Sequence, residues 1–388
     1  MRISKIQILP ILLIVIAACT PPNDFPPAPV SATLPAPITL TSAPPTDAIA
    51  LPLVDAPQLA QFYFIDENNG WGATETQLIR TNDGGVTWYD ASPNVDAQFG
   101  YAPYLFLDAV SAWVLISSSD YQTGTLYQTY DGGITWDSIA VPFASASMQM
   151  LDDQNGFALA ALGAGAGSEA VALFKTTDAG HTWTRVFIND PTVDGSNNSL
   201  PLGGQKGGFT FLDESRGWVG GSTPVDNYIY LYQTSDGGVT WSEVNLELPA
   251  GYESAQTNNA GPQFFSATEG VLVVNLFLPV DPGTSMVVYR TTDGGVTWTA
   301  GQVIARGRPS DFRAFSEGVA WGGGPFQVTH DAGQSWSAIQ PDVDFSAMLT
   351  SFQFVSPLIG FVLTGSETGE VTFYKTTDGG ATWTVLIP

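Results

Sequence analysis

Thr81-Asn82-Asp83-Gly84-Gly85-Val86-Thr87-Trp88 is a pattern that this chain of 388 residues writes seven times. The copies begin at Thr81, Thr129, Thr176, Thr234, Thr291, Thr329 and Thr376, each with an Asp two places on, then Gly, Thr (Ser335 once) and Trp. The aspartates are Asp83, Asp131, Asp178, Asp236, Asp293, Asp331 and Asp378, in steps of 48, 47, 58, 57, 38 and 47 residues. A period in that range means one supersecondary unit per copy, with stacked neighbours supplying the core. An Asp ahead of Gly can bond backbone amides further along, and Gly takes positive φ without strain. Asp-Gly-Gly between β-prone segments is therefore a hairpin signal. The Thr suits the strand leaving the turn, and the Trp offers a flat face to a neighbouring sheet.

A second series interleaves with the first. Phe62-Tyr63-Phe64 leads to Gly70-Trp71, Leu105-Phe106-Leu107 to Trp113, and Met148-Gln149-Met150 to Gly156-Phe157. Phe209-Thr210-Phe211, Phe264-Phe265, Phe312 to Phe315 and Phe352-Gln353-Phe354 continue it, each ahead of a Gly. One unit thus reads strand, Asp/Gly turn, strand, variable loop, strand, Asp turn, strand. The expected fold is all-β, a seven-bladed β-propeller of four-stranded antiparallel blades, which shields sheet edges by radial repetition. All 11 tryptophans fall in the two series, which leaves none as a ligand platform.

Outside the repeats, residues 1–18 read as a signal peptide. Arg2 and Lys5 precede a mostly apolar run, Ile6 to Ile16, too short for a membrane span of about 20 residues. It ends Ile16-Ala17-Ala18-Cys19, which resembles a bacterial lipoprotein signal and implies lipid on Cys19, the one cysteine of the chain. Residues 19–57 read as the lipidated Cys and a Pro-rich tether unable to bury a core, and 58–388 as the propeller. Leu51 to Val54 are expected to add an outer strand where the ring closes. The resulting location is the bacterial envelope, outside the cytoplasmic membrane or at the cell surface.

Charge narrows the partners. The chain holds 12 Lys+Arg against 37 Asp+Glu, a net −25. Such a field repels nucleic acid and favours solubility. The first and third turns of each unit are short and share one face; the second turns and the links take the irregular lengths on the other. Ala160–Glu169, Asn189–Gly208, Ser222–Asn227, Pro249–Pro262 and Pro279–Ser285 are the candidate binding rim. Arg306, Arg308 and Arg313 cluster in the link to the sixth blade, assigned to that rim. They either dock an acidic tail of a partner or pair internally with acids such as Asp311 and Glu317.

The turn resembles the Asp-box, or BNR, repeat of sialidases, xyloglucan-type glycoside hydrolases, sortilin-type receptors and many bacterial surface proteins. The fuller unit, Gly-Trp followed by Thr-x-Asp-Gly-Gly-x-Thr-Trp, is most similar to the photosystem II stability/assembly factor family. That resemblance covers Phe62 to Trp383 and implies an exported, non-enzymatic helper that holds membrane-protein parts. It implies a protein partner, possession of no cofactor, and a monomer. The alternative is a carbohydrate-active enzyme or glycan-binding protein of the sialidase or xyloglucanase type. A sialidase-like site would need three gathered arginines, a Tyr/Glu pair and an acid, whereas this chain has eight arginines and no Arg-Ile-Pro stretch. The acid pairs Asp152-Asp153 and Asp213-Glu214 fall in short turns, as His181 and His330 fall in Asp turns. Gly163-Ala164-Gly165-Ala166-Gly167 lacks the Lys-Ser/Thr of a phosphate loop. No catalytic residue and no metal ligand are therefore assigned.

Overall fold

The computed structural model describes residues 51–387 except 280–282, 306–309, 347 and 367–368. Among these residues every element is a strand. The first unit shows the plan: Gln61–Phe64, Gly70–Ala73, Leu78–Thr81 and Trp88–Asp90 pair in chain order, all antiparallel. Alternation sets the faces, since Phe64 is buried while Tyr63 is open. The Gly that opens the second strand is fixed by packing. A Cβ on Gly70 would lie 2.9 Å from the Phe64 ring opposite it, and one on Gly360 2.7 Å from Phe354.

The seven turns share one hydrogen-bond design. Thr81 Oγ1 donates to Asp83 Oδ1 (2.9 Å) and accepts from Gly85 N (3.0 Å). Asp83 also accepts from Thr87 N (2.9 Å) and Thr87 Oγ1 (2.5 Å). The same Asp contacts recur at Asp131, Asp178, Asp236, Asp293, Asp331 and Asp378. Each carboxylate thus satisfies donors that the tight turn leaves without strand partners. Trp88, Trp183, Trp241, Trp298 and Trp383 close the motif by donating Nε1–H to their own turn's Gly carbonyl. Trp136 instead reaches Ala91 O of the preceding unit, and Trp336 Nε1 has no partner.

Six hydrogen-bonded sheets result. Four are single four-strand units, and the first carries a fifth strand: Leu53–Val54 pairs with Trp88–Asp90. Leu53–Val54 therefore edge the first unit, not the last, and two residues counted with the tether belong to a sheet. The sixth sheet has ten strands. It contains one antiparallel run from Gln205–Phe211 to Ser242–Glu243 and another from Gln263–Phe264 to Thr299–Ala300. Seven separate sheets were expected; Gln256–Asn258 is the reason for the difference. It bonds Ser222 of one run and Phe277–Asn275 of the other, stitching two units into one ladder.

Apolar packing makes the units into a propeller. Each apolar cluster draws on two consecutive units, as with Trp113, Leu126 and Phe143 against Met148, Ala158 and Phe174. The last such cluster joins the end of the chain to its start: Phe361, Leu363, Phe373 and Ile387 pack on Leu59, Phe64, Ile79 and Trp88. Phe64 stacks on Phe361 at 3.6 Å and 9°. The final strand, Thr384–Ile387, pairs inside its own unit, so among the described residues closure uses no strand exchange.

Candidate interaction surface

In five units the penultimate residue of the first strand ties that strand to the next unit. Gln149 donates Nε2–H to Phe211 O (2.9 Å) and accepts from Phe211 N (2.7 Å). Gln353 does the same with Phe64, at 3.1 and 2.7 Å, across the closure. Gln263 donates to Phe312 O (3.0 Å), and Asp311 accepts from Phe354 N (2.8 Å). Tyr63 stacks on Phe106 at 5.8 Å. The basic residues do related work further out. Lys175 meets Glu214 at 2.9 Å, Lys375 donates to Glu67 O at 3.1 Å, and Arg80 lies over Trp71 beside Asp108 and Asp131.

Arg313 belongs to this set and makes the internal pairing with Asp311, one of the two roles open to it from the sequence. It lies in the turn after Ser310–Phe312, on the Asp-turn face, with its amide bonded to Glu317 O. Its guanidinium donates to Asp311 Oδ2 at 2.6 Å. Five of the other first strands place an apolar residue there (Ile65, Leu107, Leu151, Phe265, Val355), as does Leu212 in the remaining one. Arg313 and Asp311 thus fill an inter-unit joint as a pair. Burial raises the Asp311 carboxyl against the pull of Arg313, and burial followed by Asp311 raises the Tyr63 hydroxyl. Arg306, Arg308 and Cys19 lie outside the described residues.

Asp152, Asp213 and Glu214 line one concavity of about 400 Å³ on the Asp-turn face, and each is already engaged there. Asp152 accepts from Gln154 N, Asn155 N and Asn155 Nδ2 within its turn. Asp213 pairs with Arg216 at 2.7 Å, and Glu214 with Lys175. His181 Nδ1 contacts Asp178 O at 2.8 Å, and His330 Nδ1 contacts Glu317 at 2.6 Å. Among the described residues no group of three or more His, Cys, Asp or Glu is placed to hold a metal.

The opposite rim carries the elaboration. Ala160–Glu169, expected as a loop, is largely strand: Gly156–Gly165 and Ser168–Thr176 form a long hairpin with a bulge between Ala161 and Gly163. Small residues are poor strand formers, but here the ladder itself holds them, and Gly163, Gly165 and Gly167 meet no neighbour. The 189–204 link is clipped to this hairpin by Glu169 N to Leu202 O (2.9 Å) and Gly204 N to Gly167 O (2.8 Å). Lys206 fastens the clip. Its ammonium donates to the carbonyls of Glu169 (3.0 Å), Pro201 (2.7 Å), Leu202 (3.1 Å) and Gly204 (3.0 Å), and lies over the Tyr230 ring. Burial pushes this amine down to about 8, with Glu169 pulling it back.

The 255–262 link is seated by two glycine pairs that the sequence reading passed over. A Cβ on Gly208 would meet Ala260 O at 2.6 Å, and one on Gly220 would clash with Asn259 Oδ1 and Gly261 N. Bare backbone at Gly207-Gly208 and Gly220-Gly221 lets the link lie across the sheet. Buried Asn259 then donates to Tyr230 O (3.0 Å) and accepts from Gly261 N (3.0 Å). Two concavities result. One of about 290 Å³ is lined by Tyr104, Ser145, Ser147, Met148, Glu169 and Lys206; one of about 350 Å³ by Gln205, Thr223, Gln256, Asn258 and Phe277.

Radial four-strand antiparallel units with this closure define a β-propeller, and comparison with known proteins agrees. No family model matches the chain. It is similar to YCF48 bound to a D1 peptide, with a TM-score of 0.53 and 17% identity, covering 86% of this chain and 99% of that one. YCF48 from Cyanidioschyzon merolae gives 0.51 and 16%, over 84% and 98%. A polysaccharide lyase, the PL25 ulvan lyase, gives 0.50 and 11%, over 87% and 94%. In sequence the chain is 25% identical over 256 residues to a xyloglucanase of Paenibacillus sp, covering 47% of this chain and 24% of that protein. The chain thus spans about a quarter of that curated relative's length.

Proposed function

We propose that this chain is a lipid-anchored, extracytoplasmic and non-enzymatic scaffold that binds protein through the elaborated rim of a seven-bladed propeller. Seven is reached by counting the ten-strand sheet as two blades stitched by Gln256–Asn258. The observation that carries the reading is the asymmetry of the two faces. One repeats a single wired turn; the other carries the long hairpin, the Lys206 clip and the crossing link. Ordered additions on one rim of a rigid scaffold are where recognition sits. YCF48, to which this chain is similar in fold, is known with a bound D1 peptide, which supports a protein partner. The anchor rests on Cys19 and its flanking sequence.

Truncating the hairpin tip, residues 162–167, is the test. Partner recovery from detergent-solubilised membranes should fall with the melting temperature unchanged, and equal recovery would refute the rim assignment. Cys19→Ala should move the protein from the detergent-rich to the aqueous phase; unchanged partition would refute the anchor.

A second reading, carbohydrate chemistry, has one specific observation in its favour. Tyr63, half exposed, shares the electrostatic environment of the Asp311–Arg313 pair, where burial keeps the carboxyl's proton affinity high. The xyloglucanase relative points the same way. Turnover of β-glucans or sialosides abolished by Asp311→Asn would establish it in place of the scaffold.

A further inference from the structure

Two tyrosines stand apart from the packed aromatics. Tyr101 is 95% exposed and Tyr121 78% exposed, whereas no tryptophan is open to solvent. Both belong to the Asp131 unit. Tyr101 lies in the link entering its first strand, Tyr104–Phe106, and Tyr121 in the turn between Ala112–Ser117 and Gly124–Thr129. In an antiparallel unit those two positions share the variable rim.

The display of Tyr121 is held in place. Its φ is +55°, and the other non-glycine residues at positive φ among the described residues are alanines and an asparagine, so Tyr121 is the one bulky side chain among them. Ser118 O accepts from Tyr121 N (3.0 Å), Ser118 Oγ donates to Asp120 Oδ1 (2.6 Å), and Asp120 Oδ1 accepts from Gln122 N (3.0 Å). On the other side, exposed Glu75 packs its backbone against Gly100, with Phe99 N donating to Glu75 O (2.7 Å).

The surrounding charge selects the occupant. Residues 51 to 142 hold eleven acids and one base, Arg80, which lies over Trp71. Asp66, Glu67, Asp83, Asp108 and Asp131 sit in turns of the other face, which leaves Glu75, Asp96 and Asp120 as exposed acids of the second turns and the link. Asp96 and Asp120 flank the two rings in sequence and are exposed. An open tyrosine ring near carboxylates attracts a cation at its face, and the field around it repels polyanions.

We propose that Tyr101 and Tyr121 form a two-ring platform that holds a lysine- or arginine-bearing peptide segment. This rests on the scaffold reading and names the chemistry of its partner. A peptide of alternating charge and small side chains would lay cationic heads on the rings while Glu75, Asp96 and Asp120 supply counter-charge.

The experiment titrates an end-capped (Lys-Ala)5 peptide into the full mature chain in detergent by calorimetry. The glutamate analogue and cellohexaose are counter-probes. The lysine peptide should bind at low salt and weaken as salt rises. Tyr101→Ala and Tyr121→Gly should each weaken it about three-fold and together about ten-fold. Tyr121→Gly should leave the melting temperature unchanged or higher, because Gly suits that φ; a merely structural tyrosine would lower it. Unaltered binding by the double variant, no binding of the lysine peptide, or tyrosine-dependent binding of cellohexaose would each overturn the proposal. Membrane partner recovery retained by the double variant would overturn this platform alone and leave the scaffold reading standing.

Discussion

The turn aspartates show how one residue type can be legible in sequence and still gain meaning from geometry. Spacing alone identifies Asp83 and its six counterparts as turn residues, because an Asp two places ahead of a Gly has few other uses at a fixed period. What the spacing could not give is the number of donors each carboxylate takes. Hydrogen bonds from the Thr297 hydroxyl and amide hold Asp293 down to about 2, and the Thr382 amide and hydroxyl do the same for Asp378. Both are depressed below the ordinary value, so the stability they contribute is present above about pH 4 and is lost as pH falls through about 2. Thermal melts between pH 5 and 2 should show most of the loss in that lower window. Asp293→Asn should flatten the profile there, and a profile unchanged by it would contradict the assignment. At neutral pH, Asp83→Ala should cost about 1–2 kcal/mol by orphaning the Thr87 and Thr81 donors, read from urea midpoints. Arg313 is the converse case. Its neighbours in sequence suggested a patch, and only the structure shows that it replaces an apolar residue at a joint beside Asp311.

Elements were harder to read where a strand contradicts its own composition. Ala160–Glu169, the end of the hairpin, reads as a loop from its Gly/Ala content, since low β-propensity says nothing about a ladder held by its register. The Lys206 clip was invisible because its partners are backbone carbonyls, which every sequence has. Lys206→Met should free the 201–204 segment, with faster amide hydrogen exchange there and in 167–169 and a loss of about 1–3 kcal/mol from carbonyls left buried without donors. Exchange unchanged in that segment would refute the clip. The glycine pairs 207–208 and 220–221 were in plain view, and doubled glycine inside a strand is the available signal for close backbone approach. Gly220→Ala should expel the 255–262 link from the sheet. The expected signs are increased protease cleavage near Tyr252 and loss of the Ser222–Asn258 ladder bond.

At the scale of the molecule, the repeat decided the fold, because no single unit can bury both faces of its sheet. The sequence left the closure open, and the structure supplies it through aromatic stacking of Phe64 on Phe361 and the Gln353 clamp. Phe64→Ala should cost about 3–5 kcal/mol and loosen the first and last units ahead of the others, as hydrogen exchange would record. Function was less legible, because the recognition surface is built from links whose lengths follow no period. The division of labour between the two faces is the claim on which the functional account stands. Photo-crosslinking from single positions in membranes tests it most directly, with a benzophenone side chain at Leu162 on the hairpin or at Val296 in an Asp turn, both exposed. The account predicts a discrete protein adduct from position 162 and none from 296; adducts from 296 alone, or equally from both, would contradict it.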